Sequence, residues 1–63
     1  MTDIITTADK LAGAERELKM RKFVYPSWVD KKKMSAGKAA HEIAVMEAIV
    51  EDYRKLVGKE QLI

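Results

Sequence analysis

Along the second half of the chain, apolar residues recur at Ala39, Ile43, Met46, Val50, Tyr53 and Val57. The intervals alternate four, three, four, three, four, the repeat of a helix that packs along its whole length against another helix. The pattern predicts helix 2 from Ala36 to about Val57, roughly residues 36–57. Ser35 stands in position to cap its N-terminus. Arg54 and Lys55 fall in the last turn, where cations suit the helix dipole, and Gly58 is placed to end the helix in a left-handed conformation.

The first half carries a narrower stripe of Leu11, Ala14, Leu18 and Tyr25, set among good helix formers. It predicts helix 1 over about residues 8–25, behind a flexible arm at 1–6. Thr6 or Thr7 is placed to be the N-cap, Thr6-x-x-Asp9 puts a carboxylate in the first turn, and Glu15/Lys19 and Glu17/Arg21 are acid-before-base pairs one turn apart. Gly13 costs this helix about 1 kcal/mol relative to alanine. Met20, Phe23 and Val24 point to other sides, so the end of helix 1 is apolar nearly all round and is expected to be buried against more than one surface. Pro26 lacks an N–H and biases Tyr25 away from the helical region. A break or kink is expected there, with a short helix over about 26–32 and a tail at 59–63. The expected fold is all-α: an antiparallel helical hairpin, residues 7–58, with a proline elbow.

Helix 2 holds more apolar surface than one partner helix covers. Val45, Ile49 and Leu56 widen its apolar arc to about 140–180°, where a single core calls for little more than 100°. Ala36, Ala40, Ala44 and Ala48 add a small-residue ridge, which either admits a close helix or reflects the helix propensity of alanine on a solvated face. The residues expected to pack the core or a dimer are Leu11, Leu18, Tyr25, Trp28, Ile43, Met46, Ile49, Val50, Tyr53, Leu56 and Val57. Size strengthens the case. A 63-residue chain buries only about 60% of its unfolded surface, and such small domains lean on disulfides, a metal or a second chain. There is no cysteine and a single histidine, which leaves association. A homodimer forming a four-helix bundle is the expected partner state.

Charge is nearly balanced overall at +2 but unevenly placed. Residues 16–38 hold eight Lys/Arg against two Asp/Glu, while 1–15 and 39–63 are each net negative by two. No signal-like apolar segment opens the chain, and no run approaches the roughly 20 apolar residues of a membrane span. A cytoplasmic protein without membrane contact is expected.

Few residues could carry chemistry. His41 and Glu42 are adjacent, hence about 100° apart on a helix, and cannot converge on one ion. A solvated histidine is the better reading. Glu47 and Glu51 form a carboxylate pair one turn apart, beside Arg54 and Lys55 on the outer face, whereas bundle metal sites need inward-facing ligands from several helices. No nucleotide fingerprint or phosphate-cradling glycine loop is present, and Gly13, Gly37 and Gly58 are isolated. No enzyme activity, cofactor or metal is expected. The Lys31-Lys32-Lys33 run, with Lys38 nearby and Tyr25 and Trp28 beside it, could neutralise phosphates and stack a base. It also reads as an ordinary solubilising elbow, its aromatics packing the corner.

The series Glu15…Met20-Arg21, Val24-Tyr25-Pro26-x-Trp28-Val29, Met34-Ser35 and Lys38-Ala39-x-x-Glu42-Ile43-x-x-Met46-x-x-Ile49 resembles a group of small helical proteins encoded by bacteriophages and prophages. It covers roughly residues 14–54, and Val-Tyr-Pro-x-Trp-Val is its specific part. Where that pattern often has a glycine shortly before Met-Ser, this chain has Lys32. The resemblance implies a viral or prophage origin and a compact helical fold, and it transfers no catalytic or ligand residue. Together these features lead to the expectation of a non-enzymatic protein-interaction module with an unidentified partner protein. A small nucleic-acid-binding accessory protein is the alternative.

Overall fold

A computed structural model describes residues 4–61, with side chains through residue 60. Two helices, α1 (Thr7–Asp30) and α2 (Ala36–Gln61), fold back on each other as an antiparallel hairpin. No strand occurs among the described residues.

The start of α1 follows from Thr6. Its hydroxyl accepts from the Asp9 N–H and its own N–H donates to Asp9 Oδ2, both at 3.0 Å. This reciprocal capping box satisfies two donors that a helix N-terminus otherwise leaves open. Ser35 caps α2 with a single bond, its hydroxyl accepting from the Lys38 N–H at 3.1 Å. Of the expected arm, Ile4 and Ile5 lie outside the helix and are exposed, and residues 1–3 fall outside the described part.

The proline elbow is not found. α1 runs without interruption through Pro26 to Asp30, replacing the expected break and separate short helix. The missing N–H removes one rung, but packing holds the residues on both sides in register. The Tyr25 and Trp28 rings stack across the proline with centroids 5.5 Å apart, and the Arg21 guanidinium lies 6.0 Å from the Tyr25 ring centre. The bend falls later, at Lys31–Ser35. There Lys33 N–H donates to the Trp28 carbonyl at 2.8 Å and Lys32 N–H to that of Val29 at 3.0 Å. These two bonds form a Schellman close. Its left-handed position, where glycine is the usual occupant, is held by Lys32 at φ 61°.

α2 also outruns expectation. Gly58 is helical, without positive φ, and the helix continues to Gln61, taking in part of the expected tail. Thr7 Oγ1 donates to Glu60 Oε1 at 2.7 Å and ties this last turn to the first turn of α1. Residues 62–63 lie outside the described part.

The core is a single seam. Ala14, Met46 and Val50 are buried together, with Leu11, Leu18 and Tyr53 packed against them, and Ala39 is buried nearer the bend. Tyr25, Ile43 and Val57 are half-buried. The hairpin measures 47 × 28 × 13 Å. Its radius of gyration of 14.7 Å exceeds the roughly 11 Å of a globular chain this long. It is one helix thick, and a domain ordinarily closes its core between two layers.

Candidate functional site

The two broad sides of this slab differ in kind. On one, ion pairs bridge the helices: Arg54 Nη2 to Glu15 Oε2 at 3.1 Å and Lys22 Nζ to Glu47 Oε2 at 3.5 Å. Glu15 thus reaches across to α2 instead of along α1 to Lys19. Counting about 100° per residue from Glu47 and Arg54 places Val45, Ile49 and Leu56 on the opposite edge of α2. That edge carries Glu42, which meets Arg21 of α1.

Among the described residues, Arg21 is the cation with the most partners. Its Nε donates to Glu17 Oε1 at 3.0 Å, its Nη1 donates to the Glu42 carbonyl at 2.8 Å, and the Glu42 carboxylate lies 3.7 Å away. The Glu17 hydrogen bond is the main reason Arg21 holds its proton more tightly than a free guanidinium, against a smaller pull from burial. The sequence pairs Arg21 with Glu17 one turn earlier, as the structure shows, but not with Glu42 of α2. A signal for its true role was present, since Arg21 falls one turn before Tyr25 on the inward stripe of helix 1.

Beyond Arg21 the second side is apolar and open. Val45, Ile49 and Leu56 are 38, 36 and 46% exposed, and Trp28 is 41% exposed at the bend end with half-buried Val24 a turn earlier. Among the expected packing residues, then, Met46 and Val50 lie in the core, Leu11, Leu18 and Tyr53 flank it, and Ile49, Leu56 and Trp28 lie at the surface of the single chain. The end of α1 is not covered from several sides. Phe23 is 83% exposed on the back of the helix, and Met20 is exposed as well. The alanine ridge of Ala36, Ala40, Ala44 and Ala48 is exposed throughout.

At the bend, Lys31, Lys32, Lys33 and Lys38 are all exposed, and among the described residues none of them makes an ion pair. A shallow depression beside them is lined by Val29, Lys32, Lys33, Met34, Ser35 and Ala36. Glu47 and Glu51 do not converge: Glu47 pairs with Lys22, and Glu51 with Lys55 at 3.9 Å. His41 is exposed. Among the described residues, no cluster of three His, Asp or Glu side chains is arranged to hold a metal ion. No helix among them is long and apolar enough to cross a membrane.

No protein family, curated protein or solved structure matches the chain.

Proposed function

We propose that the protein is a non-enzymatic helical interaction module whose working unit is a homodimer, two hairpins packed face to face as a four-helix bundle. The outer surface of the bundle is then available to a partner protein in the cytoplasm. One observation carries this reading: Val45, Ile49 and Leu56 lie open on one broad side while interhelical ion pairs bridge the other. Surface area supports it. The chain exposes 5140 Å², against about 4,100 Å² for a compact monomer of 7.2 kDa. The excess is roughly the ~800 Å² that each partner contributes to a standard interface. A phage or prophage origin is part of the same proposal and rests on the Val24-Tyr25-Pro26-x-Trp28-Val29 resemblance alone.

Light scattering across protein concentration and at two salt levels tests the dimer. A mass of twice the chain that survives dilution and salt supports it, and a stable monomer overturns it.

A second reading, a small nucleic-acid-binding accessory protein, is favoured by the exposed, unpaired lysines at the bend. Replacing Lys31, Lys32 and Lys33 by glutamate abolishes oligonucleotide binding under that reading and leaves the helical content unchanged. Trp28 offers such a ligand less than a free ring would, because one of its faces stacks on Tyr25.

A further inference from the structure

We infer that the two hairpins of the dimer lie in opposite directions, the bend of each against the open end of the other, with α2 packed on the partner's α2. This rests on the dimer proposed above and names how its shared face is filled. Two symmetric ways of stacking the slabs are available, and they bring different residues together. If the bends coincide, the two-fold axis runs along the helices and α2 lies over the partner's α1. The interhelical pairs Glu15–Arg54, Lys22–Glu47 and Thr7–Glu60 fix which α1 residues are level with which α2 residues. They place Ile49 level with residues 18–20 and Leu56 level with residues 11–13, where the nearest positions on the same side of α1 are Glu17 and Arg21 for Ile49 and Lys10 and Gly13 for Leu56. Coincident bends therefore set two of the three open apolar side chains against charged positions.

If the bends lie at opposite ends, the axis runs across the helices and α2 lies over the partner's α2. The open residues of α2 are then self-complementary. Val45 meets the partner's Leu56, Leu56 meets the partner's Val45, and Ile49 sits near the axis opposite its own copy. Apolar surface meets apolar surface at the Val45 and Leu56 positions, with exposed Asp52 at the margin of the edge, and the arrangement is isologous, as a two-fold dimer requires.

Charge selects the same orientation. Residues 19–47, the bend half, carry seven Lys/Arg against three Asp/Glu. Residues 4–18 and 48–61, the open half, carry five against six. Coincident bends stack two basic halves on each other. Opposed bends set each basic half over a slightly acidic one, and bring Lys38 toward the carboxyl end of the partner's α2, where the helix dipole favours cations. The same placement gives Ile4 and Ile5 a surface. They are 87 and 61% exposed, and the residue one turn into α1, where a hydrophobic staple for Ile5 would sit, is Lys10. In the opposed dimer they fall near the bend end of the partner's α1, where Trp28 is exposed.

The chain has no cysteine, so single introduced thiols report the orientation directly. Full-length Val45→Cys and Leu56→Cys chains, mixed and mildly oxidised, are expected to give a disulfide-linked heterodimer as the main product. Mixed Val45→Cys and Val24→Cys chains are expected to give almost none. The reverse pattern overturns the orientation while leaving the dimer intact. Failure of both mixtures, with light scattering still reporting a dimer, also overturns it. Failure of both with a monomer mass removes the dimer itself.

Discussion

The two broad sides of the hairpin use the same pair of helices to different ends. On the bridged side, Glu15–Arg54 and Lys22–Glu47 span the helices between side chains that remain about half exposed. Such pairs set register and solubility but add little stability, because water screens them and long side chains lose freedom in forming them. On the other side, Arg21 is gripped by Glu17 and Glu42, and Val45, Ile49 and Leu56 are only partly covered within the chain. A thin core of Ala14, Met46 and Val50 lies between them. The contrast teaches where stability has to come from. A one-layer fold with one face already closed by charge can gain a second layer only through the other.

The strongest way to break this contrast is Ile49→Asp. It should weaken self-association at least about a hundredfold, since burying an unpaired carboxylate costs on the order of 3 kcal/mol. Sedimentation of the variant should show a monomer. Next in size is Arg21→Ala, which removes charge-assisted bonds to Glu17 and to the Glu42 carbonyl. A loss of about 1.5–3 kcal/mol in urea unfolding is expected. Lys32→Gly should act in the opposite direction, gaining about 1 kcal/mol, because glycine occupies the left-handed position without the steric cost of a Cβ. Removing the bridged side's pairs with Lys22→Ala or Arg54→Ala should cost under about 1 kcal/mol each, less in high salt, and leave the oligomeric mass unchanged.

The smallest effect is one of pH. The Thr6 backbone N–H, and after it the Thr6 hydroxyl, hold the Asp9 carboxyl below the usual carboxylate range. The folded state therefore binds that proton less readily than the unfolded chain does. The capping contribution is complete above about pH 4, the unfolded value, and fades as pH falls through the lower folded one. Asp9→Asn should flatten this part of the acid-unfolding curve.

Much of the fold was legible because it depends on period and caps. The four-three spacing of Met46, Val50 and Tyr53 gave the inward side of α2, and Thr6-x-x-Asp9 and Ser35 marked both helix starts where they occur. The misreadings came where a local preference met a tertiary one. Pro26 and Gly58 each carry a penalty against continuing a helix. In the fold, α1 continues through Pro26 with the Tyr25 and Trp28 rings stacked across it, and the Thr7–Glu60 hydrogen bond ties down the turn that follows Gly58. Of the candidate surfaces, the excess width of the α2 arc announced the open face, because Val45, Ile49 and Leu56 exceed what one neighbour can cover. The interhelical partners of Glu15, Arg21 and Lys22 were hidden, because they depend on how far one helix slides along the other. Apolar spacing alone leaves that slide undetermined.

The placement of the bend has a consequence for how the molecule can be taken apart. Lys31, Lys32 and Lys33 sit at the exposed tip between the two helices, in backbone that belongs to neither. A protease that cuts after basic residues therefore meets three consecutive scissile bonds at the one place where cleavage severs the chain without cutting either helix. The nicked protein is a pair of helical peptides held by the seam and the polar pairs that cross it. The concentration at which they part company weighs that seam with the tether removed, separately from whatever holds one hairpin to another.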